Sequence, residues 1–282
     1  MTKSSNGQST RVENRLKAQF AKHMRHLAYG FDRLDFLMDA SSPDLDWARL
    51  KQHCGDLELL DHKDSFHPIW MKELRVYQPD PDFPWVLMKE VGSRYNLKVQ
   101  YVEAACDLIT KTPEKAEILL RNLIRHLLLR QSRSQIVKDR SVYYWAGRKA
   151  ATNLAAYADK PSKIHSPWAG RSCAHMELRI RGTEGLNRFG IYGVSDLLLF
   201  KHRSTWDLVT SFAFVPSMTA LGHLLRDGED VADDTALRAF DKYMEECNVE
   251  GHPSLHNAVV TNRRVRKALQ MISHRELFGR AR

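Results

Sequence analysis

The part of the chain richest in candidate reactive groups lies between Ser141 and Arg181. Tyr157 there ends a run that alternates polar and apolar residues, and Lys160 follows three positions later in the same basic stretch. A tyrosine hydroxyl, with an ordinary pKa of about 10, is a poor nucleophile at neutral pH. A metal ion on a target phosphate and neighbouring cations would favour its phenolate. We predict Tyr157 as a candidate nucleophile, although a lone tyrosine on a strand is more often structural.

Acidic residues on two other predicted strands could hold such a metal ion. Glu103 and Asp107 are four strand residues apart, about 13 Å along the chain, so they cannot easily share one ion. Glu177 lies on another strand, and because neighbouring strands are about 5 Å apart it could meet either of them. We predict Glu103 and Glu177 as ligands of Mg²⁺ or Mn²⁺, the ions that prefer oxygen. Whether Asp107, Asp35 or His175 also serves this site is left open.

Basic residues are concentrated around the candidate nucleophile. Residues 121–190 hold 14 Lys and Arg against four Asp and Glu, a surplus of +10 that exceeds the +9 of the whole chain. The segment from Asn262 onward adds seven basic residues against one acidic residue. Two concentrated patches favour a polyanionic partner such as nucleic acid, with general solubility as the alternative. The predicted DNA contacts are Arg148, Lys149, Lys160 and Arg179.

Four segments of the chain alternate apolar and polar residues, as strands with one covered face do. They are residues 33–39, 101–108, 153–159 and 173–181. Buried parallel strands would instead give continuous apolar runs. We therefore predict an α+β fold with an open, mostly antiparallel twisted sheet and helices packed on one face. The clearest helix, opening at Thr112 and Pro113, would cover the apolar face.

The flanking segments predict the domain organisation. Residues 1–12 are predicted as a disordered tail, residues 13–200 as a catalytic and DNA-binding α+β domain, and residues 201–282 as a largely helical C-terminal region of unknown role. Leu16, Phe20 and Leu27 follow helical spacing, with Gly30 as the stop.

The composition also limits the class of protein and its compartment. The chain has no run of 18 apolar residues, so no membrane-spanning helix is predicted. The four cysteines show no C-x-x-C spacing, which argues against a zinc knuckle or a disulfide framework. We predict reduced thiols in a cytoplasmic protein.

One segment carries a family resemblance. The stretch "YYWAGRKAATNLAAYADKPSKI" resembles the tyrosine motif of rolling-circle plasmid replication initiators of the trans-acting Rep type. "CAHMELRIRG" is similar to a later strand of that family at Glu177 and Arg179, and "DRLDFLMD" and "YVEAACDL" are both similar to its upstream acidic strand. The residues that match the tyrosine motif are Tyr144, Gly147, Arg148, Lys149, Tyr157, Asp159 and Lys160.

The chain also departs from the family pattern. Ala155 or Ala156 stands where the family has an arginine before the tyrosine, and the serine of the glycine turn is either replaced by Ala146 or missing. Glu103 stands where an aspartate is usual.

The resemblance implies an enzyme that nicks one strand at the origin hairpin of a plasmid or phage. Such an enzyme stays attached to single-stranded DNA through a 5′-phosphotyrosine and later rejoins the strand. On this interpretation Tyr157 attacks, Glu103 and Glu177 hold Mg²⁺ or Mn²⁺, and the four basic residues predicted above contact phosphate. The last hundred residues could bind DNA specifically, form a homodimer or dock a host helicase.

Three other interpretations were weighed against this one. A relaxase would need a His-hydrophobic-His metal motif, of which "HME" at 175–177 has only one histidine. A tyrosine recombinase would need a late tyrosine in a basic context, and Tyr243 lies among acidic residues. The main alternative is a DNA-binding replication or regulatory protein that does not cleave, in which Tyr157→Phe would leave all activity intact.

Overall fold

The computed structural model describes residues 14–62, 69–129, 134–138, 141–145, 150–164, 166–213 and 271–279. The strands are β1 Met24–Met38, β2 Asp56–Asp61, β3 Lys72–Tyr77, β4 Leu97–Thr110, β5 Leu127–Leu129, β6 Ser134–Lys138, β7 Ser141–Trp145, β8 Thr152–Tyr157, β9 Cys173–Arg181, β10 Thr210–Ala213 and β11 Met271–Ser273. The helices are α1 (residues 14–21), α2 Trp47–Lys51, α3 Phe83–Val91, α4 Pro113–His126, α5 Gly182–Arg188, α6 Val194–Leu198, α7 His202–Val209 and α8 His274–Phe278.

Eight of these strands form one sheet in the order β2-β3-β1-β4-β9-β8-β7-β6. Every strand pairing among the described residues is antiparallel. A second, three-stranded sheet joins β11, β10 and β5. The predicted α+β fold with an open antiparallel sheet is confirmed.

Helices cover one face of the large sheet, as the alternation predicts. Val102 and Ala104 of β4 and Met176 of β9 are fully buried in one apolar cluster with Leu119 and Leu123 of α4. Burying a side chain of this size contributes about 1.5 to 3 kcal/mol. Helix α4 begins at Pro113 after an extended Thr112, as predicted, and contacts β1, β4, β8 and β9.

The predicted helix from Leu16 to Leu27 is wrong in its second half. Helix α1 ends at residue 21, and β1 begins at Met24. Residues Met24 to Gly30 pair with β4, and this tertiary pairing overrides the helical spacing. Gly30 is not a helix stop: a Cβ there would overlap the side chain of Ile164, which packs directly on the strand.

Strand β1 contains a bulge that changes which face its residues occupy. Phe31 pairs with Ala104 and Arg33 with Glu103, so that Asp32 between them has no partner on β4. An extra residue of this kind interrupts strict alternation. Phe31 is accordingly buried in the apolar cluster, which leaves Asp32 free to turn to the opposite, polar face.

Several other boundaries differ from the sequence-based expectations. The predicted loop over residues 61–85 contains β3 and the start of α3, with residues 63–68 outside the described part. Helix α2 is capped by Asp46, whose side chain accepts a hydrogen bond from the backbone of Arg49, rather than by Ser42.

The chain after residue 200 is described only in part. It holds α7 and β10, then β11 and α8, so the region predicted as largely helical also contains two strands. Residues 214–270 and 280–282 lie outside the described part, as does the predicted N-terminal tail. The domain limits therefore stay predictions.

None of the described helices combines the length and apolar character that crossing a bilayer requires. Three cysteines fall in the described part of the chain, and all three are free.

Two histidines, the half-buried His202 and the buried His274, predict a loss of stability in acid. Burial lowers the pKa of His202 to about 4. Burial, with the charge of Arg203 as a smaller cause, lowers the pKa of His274 to about 3. Because each depressed pKa lies below the unfolded value of about 6.5, the unfolded chain binds the extra protons first, and stability falls as the pH drops below 6.5.

The variant His202→Phe tests this expectation. A phenyl ring keeps the packing against Phe31 and Phe200 but cannot be protonated. Relative to the parent protein, the free energy of unfolding of the variant should rise by about 2 to 3 kcal/mol between pH 8 and pH 4. Urea unfolding followed by circular dichroism at each pH measures the difference, and parallel pH profiles would contradict the assignment.

Candidate functional site

The polar residues of β4, β9 and β8 lie side by side on the face of the sheet that the helices leave open. Asp107 of β4 stands opposite His175 of β9, and Glu103 stands opposite Arg179. On the other side of β9, Tyr157 of β8 stands opposite His175. Residues from three separate predicted strands are thus brought together, as the alternation predicts.

Tyr157 lies at the end of β8 with its ring half-buried. Its hydroxyl donates a hydrogen bond to Oε1 of Glu177, and its ring centroid is 4.8 Å from that of His175. The ammonium of Lys160 is 5.9 Å from the same ring. Burial, followed by the charge and hydrogen bond of Glu177, raises the pKa of Tyr157 above its usual range. The side chain is therefore a neutral phenol aimed at a carboxylate.

His175 is held between two carboxylates and is 3% exposed. Its Nδ1 is hydrogen-bonded to Oδ1 of Asp107, and its Nε2 lies 3.2 Å from Oε1 of Glu177 without hydrogen-bonding geometry. A proton on Nε2 makes this contact an ion pair, and a metal ion bound there would take the place of that proton. A histidine anchored by a carboxylate through its other nitrogen is the usual arrangement of a metal ligand.

Asp32 is the third member of this cluster. The nearest ligand atoms of Asp32, His175 and Glu177 all lie within 4.8 Å of one another. The bulge in β1 turns Asp32 toward β9, and Nε2 of Gln78 donates a 2.9 Å hydrogen bond to its Oδ1. Burial raises the pKa of Asp32, and the hydrogen bond from Gln78 partly offsets this.

On β1 the sequence leaves Asp35 open as a further ligand and does not single out Asp32. Strict alternation places Asp32 with the apolar residues, and only the bulge reverses this. The structure pairs Asp35 with Arg33 at 2.6 Å instead. A signal was present in the sequence, because Phe31 and Leu34 are both large and apolar although they are an odd number of positions apart, with two residues between them.

The cluster carries the charge and the atoms that a divalent cation requires. Burial alone would raise the pKa of Glu177, but its close contact with His175 and the charge of Arg179 lower it to about 2. Burial also disfavours the charged form of His175, but its bond to Asp107 raises the pKa well above the usual value, so a cation bound at Nε2 would have to displace a proton. Two carboxylates and one imidazole suit Mn²⁺ or Mg²⁺.

A second group of candidate ligands joins Asp107, Cys173 and His175, all of them buried. Burial raises the pKa of the Cys173 thiol to about 11, which disfavours the thiolate that would bind a metal. Nδ1 of His175 already bonds Asp107. Asp107 therefore holds the imidazole of His175 in the orientation that directs its Nε2 toward Glu177.

Glu103 and Glu177 lie on the same face and share the guanidinium of Arg179. Its Nη2 is 2.6 Å from Glu177, and its Nε is 3.1 Å from Glu103. Glu103 also accepts a hydrogen bond from the hydroxyl of Tyr101. Neither ligand group among the described residues includes Glu103, whose pKa is raised by burial and by the charge of Glu177.

Of the four residues predicted to contact DNA, two lie in the described part of the chain. Lys160 is exposed beside Tyr157, and the Arg179 side chain is 32% exposed. Arg148 and Lys149 lie outside the described residues, and so does Gly147.

Comparison with known proteins gives a structural likeness. No protein-family model matches the chain, and no curated protein does. A solved structure described as a rolling circle replication initiator protein from Geobacillus stearothermophilus is similar over 68% of this chain and 89% of its own, with a TM-score of 0.39 and 9% identity. A likeness of this extent assigns no role to any residue of the present chain.

Proposed function

We propose that this protein is a replication initiator that nicks and rejoins one DNA strand at a plasmid or phage origin in rolling-circle replication. The observation that carries the proposal is the hydrogen bond from Tyr157 to Glu177, at the border of a cluster that can hold a divalent cation. A structural tyrosine needs only a hydrogen-bond acceptor. It does not need an acceptor shared with a buried histidine and a second carboxylate.

The chemistry assigned to Tyr157 is a reversible transfer of a phosphodiester. The phenolic oxygen forms a bond to phosphorus, and the bond from phosphorus to the 3′-oxygen of the preceding nucleotide breaks. The phenolic proton leaves toward Oε1 of Glu177, the atom that already accepts its hydrogen bond, and the released 3′-oxygen takes up a proton. The products are a 5′-phosphotyrosine and a free 3′-hydroxyl, and the reverse reaction rejoins the strand.

We assign the cation ligands to Glu177, His175 and Asp32, with Asp107 orienting His175. This revises the ligand pair Glu103 and Glu177 that the spacing favours. When bound, Mg²⁺ or Mn²⁺ would supply positive charge at the attacked phosphate and make the phenolate more accessible. Glu103 is assigned a positioning role, since it holds Arg179 against Glu177.

The DNA would lie across the open polar face of the sheet. Lys160 and the exposed part of Arg179 border Tyr157 and are assigned to phosphate contacts, together with Arg148 and Lys149. The reaction would take place in the cytoplasm, and residues 201–282 are assigned to a host helicase or to a second copy of the chain.

Binding to single-stranded DNA should weaken steeply with salt. Four phosphate contacts predict a slope of about −3 in a plot of log affinity against log salt, because each contact releases part of a counterion. The dissociation constant should then rise about fiftyfold from about 50 to about 200 mM salt. Fluorescence anisotropy with a labelled oligonucleotide measures this, and a flat dependence would argue against phosphate contacts.

A covalent-adduct assay tests the proposed function directly. The full chain is mixed with Mn²⁺ and a DNA fragment that carries the stem-loops flanking its own gene, then denatured and separated by electrophoresis. We expect a DNA-linked protein band that requires Mn²⁺, with a peptide map that places the DNA on Tyr157. A protein that binds this DNA but never forms the band would instead be the non-cleaving DNA-binding protein.

A further inference from the structure

A separate cavity of about 380 Å³ opens on the same polar face, away from Tyr157. Arg181 at the end of β9 and Tyr101 of β4 form one side, and Asp35 of β1 with Glu73 and Arg75 of β3 form another. Arg181 is six residues beyond His175 on β9, which places the cavity about 20 Å along the sheet from the proposed site of cleavage. A strand of DNA lying across this face would reach it within a few nucleotides.

The walls of the cavity combine a flat stacking surface with hydrogen-bonding groups of both kinds. The Arg33 guanidinium lies 5.0 Å from the centroid of the Tyr101 ring, and the Arg181 guanidinium lies 5.8 Å from it. Arg33 is held in place by two hydrogen bonds to Asp35, of 2.7 and 2.6 Å. Fixed aromatic and guanidinium planes are the surfaces on which unstacked bases pack.

Arg181 and Gln100 have unused hydrogen-bonding capacity at this cavity. Among the described residues Arg181 has no carboxylate partner, although Arg33 and Arg75 each have one. Gln100 lines the cavity, and its buried Oε1 accepts no hydrogen bond from any described residue. The carboxylates of Asp35 and Glu73 can each accept more hydrogen bonds than their arginines supply. A ligand that offers both acceptors and donors in one plane would satisfy these groups.

We propose that this cavity binds an unstacked guanine base of the DNA strand and thereby makes binding sequence-specific. Guanine presents two acceptors, O6 and N7, to a guanidinium such as that of Arg181, which is the commonest specific contact of arginine with a base. Its opposite edge presents N–H donors to the carboxylates and to Gln100. The inference rests on the proposed function only in taking single-stranded DNA as the ligand, and it does not depend on cleavage.

The test measures binding without metal, so that cleavage plays no part. The full chain is titrated into fluorescein-labelled dT15 and into versions with a single dG, dA or dC at each position in turn. We expect dG at one or two positions to tighten binding about tenfold over dT, and dA and dC to do so much less. Arg181→Gln should remove most of this preference and weaken binding to plain dT15 only slightly. The matched variant Arg188→Gln, on α5 and paired with Glu184, should keep the full preference.

Each outcome decides the inference independently of the nicking reaction. Equal affinity for all four bases, a dG preference that survives Arg181→Gln, or no binding to single-stranded DNA would overturn it. If Arg181→Gln lowers the unfolding midpoint, Gln100→Leu gives the second measurement and should also reduce the dG preference. A dG preference that is lost in Arg181→Gln supports the cavity assignment even if Tyr157 forms no adduct.

Discussion

Tyr157→Phe should abolish the covalent DNA adduct while leaving DNA binding nearly unchanged. The substitution removes one oxygen, the proposed attacking atom, and keeps the ring that packs against His175. Removing a nucleophile lowers a rate by on the order of 10³-fold or more. The lost hydrogen bond to a charged acceptor, Glu177, should cost about 1 to 2 kcal/mol of stability. Adduct formation on denaturing gels, anisotropy and thermal unfolding measure the three quantities.

Tyr77→Phe is the matched control for this experiment. Tyr77 lies on β3 of the same sheet, and its hydroxyl is 3.4 Å from a carboxylate oxygen of Glu58. Removing that hydroxyl deletes a tyrosine–carboxylate contact of the same kind outside the cluster, and the adduct should persist. An adduct of normal yield in Tyr157→Phe would show that another residue is the nucleophile.

Glu177→Gln should reduce the rate of adduct formation by about a hundredfold or more and raise the Mn²⁺ concentration that half-saturates the reaction. The amide has nearly the shape of the carboxylate but removes the charge that faces His175, Arg179 and the cation. Glu177 is 3% exposed, so its loss should not touch the DNA-binding surface directly. The adduct rate is measured across a Mn²⁺ titration at saturating DNA.

Glu90→Gln provides the control for the loss of a half-buried, arginine-paired carboxylate. Glu90 on α3 has a side chain that is 13% exposed and pairs with Arg49 at 2.8 Å, away from the polar face. The Glu90→Gln variant should lose some stability, but its rate of adduct formation should depend on the Mn²⁺ concentration as in the parent protein. If Glu177→Gln keeps an unchanged rate and an unchanged Mn²⁺ response, the ligand assignment is wrong. If DNA binding and adduct formation fall together, unfolding measurements decide whether the variant is folded.

The fold was largely predictable because its central strands alternate so regularly. The residues assigned to the apolar face of β4, among them Val102 and Ala104, are fully buried. Helix α4 begins at the predicted cap. Strands β2 and β3 were not predicted, since their short segments lie among prolines and turn residues and are stabilised by pairing with β1. The sequence of a short strand does not show which other strand will pair with it.

The location of the candidate site on the sheet was predictable from the sequence, but only some of the residues that form it were. Tyr157 and Glu177 meet as expected because register brings β8 and β9 together. Spacing alone could not show that Arg179 would lie between Glu103 and Glu177. Nor could it show that His175 would be anchored by Asp107, since the side-chain directions that decide this depend on packing.

Asp32 reaches the polar face only because of the bulge in β1, so inserting or deleting a residue at this place would create or remove its carboxylate there. Deleting one residue between Gly30 and Leu34 would remove this bulge from the pairing with β4, and the carboxylate now at position 32 would then either vanish or point into the hydrophobic layer. A one-codon change far from Tyr157 in the chain would therefore remove a cation ligand without altering any residue of β8 or β9. Alignments of related chains should accordingly allow a single-residue gap at this place, because an ungapped comparison would match Asp32 to an interior position.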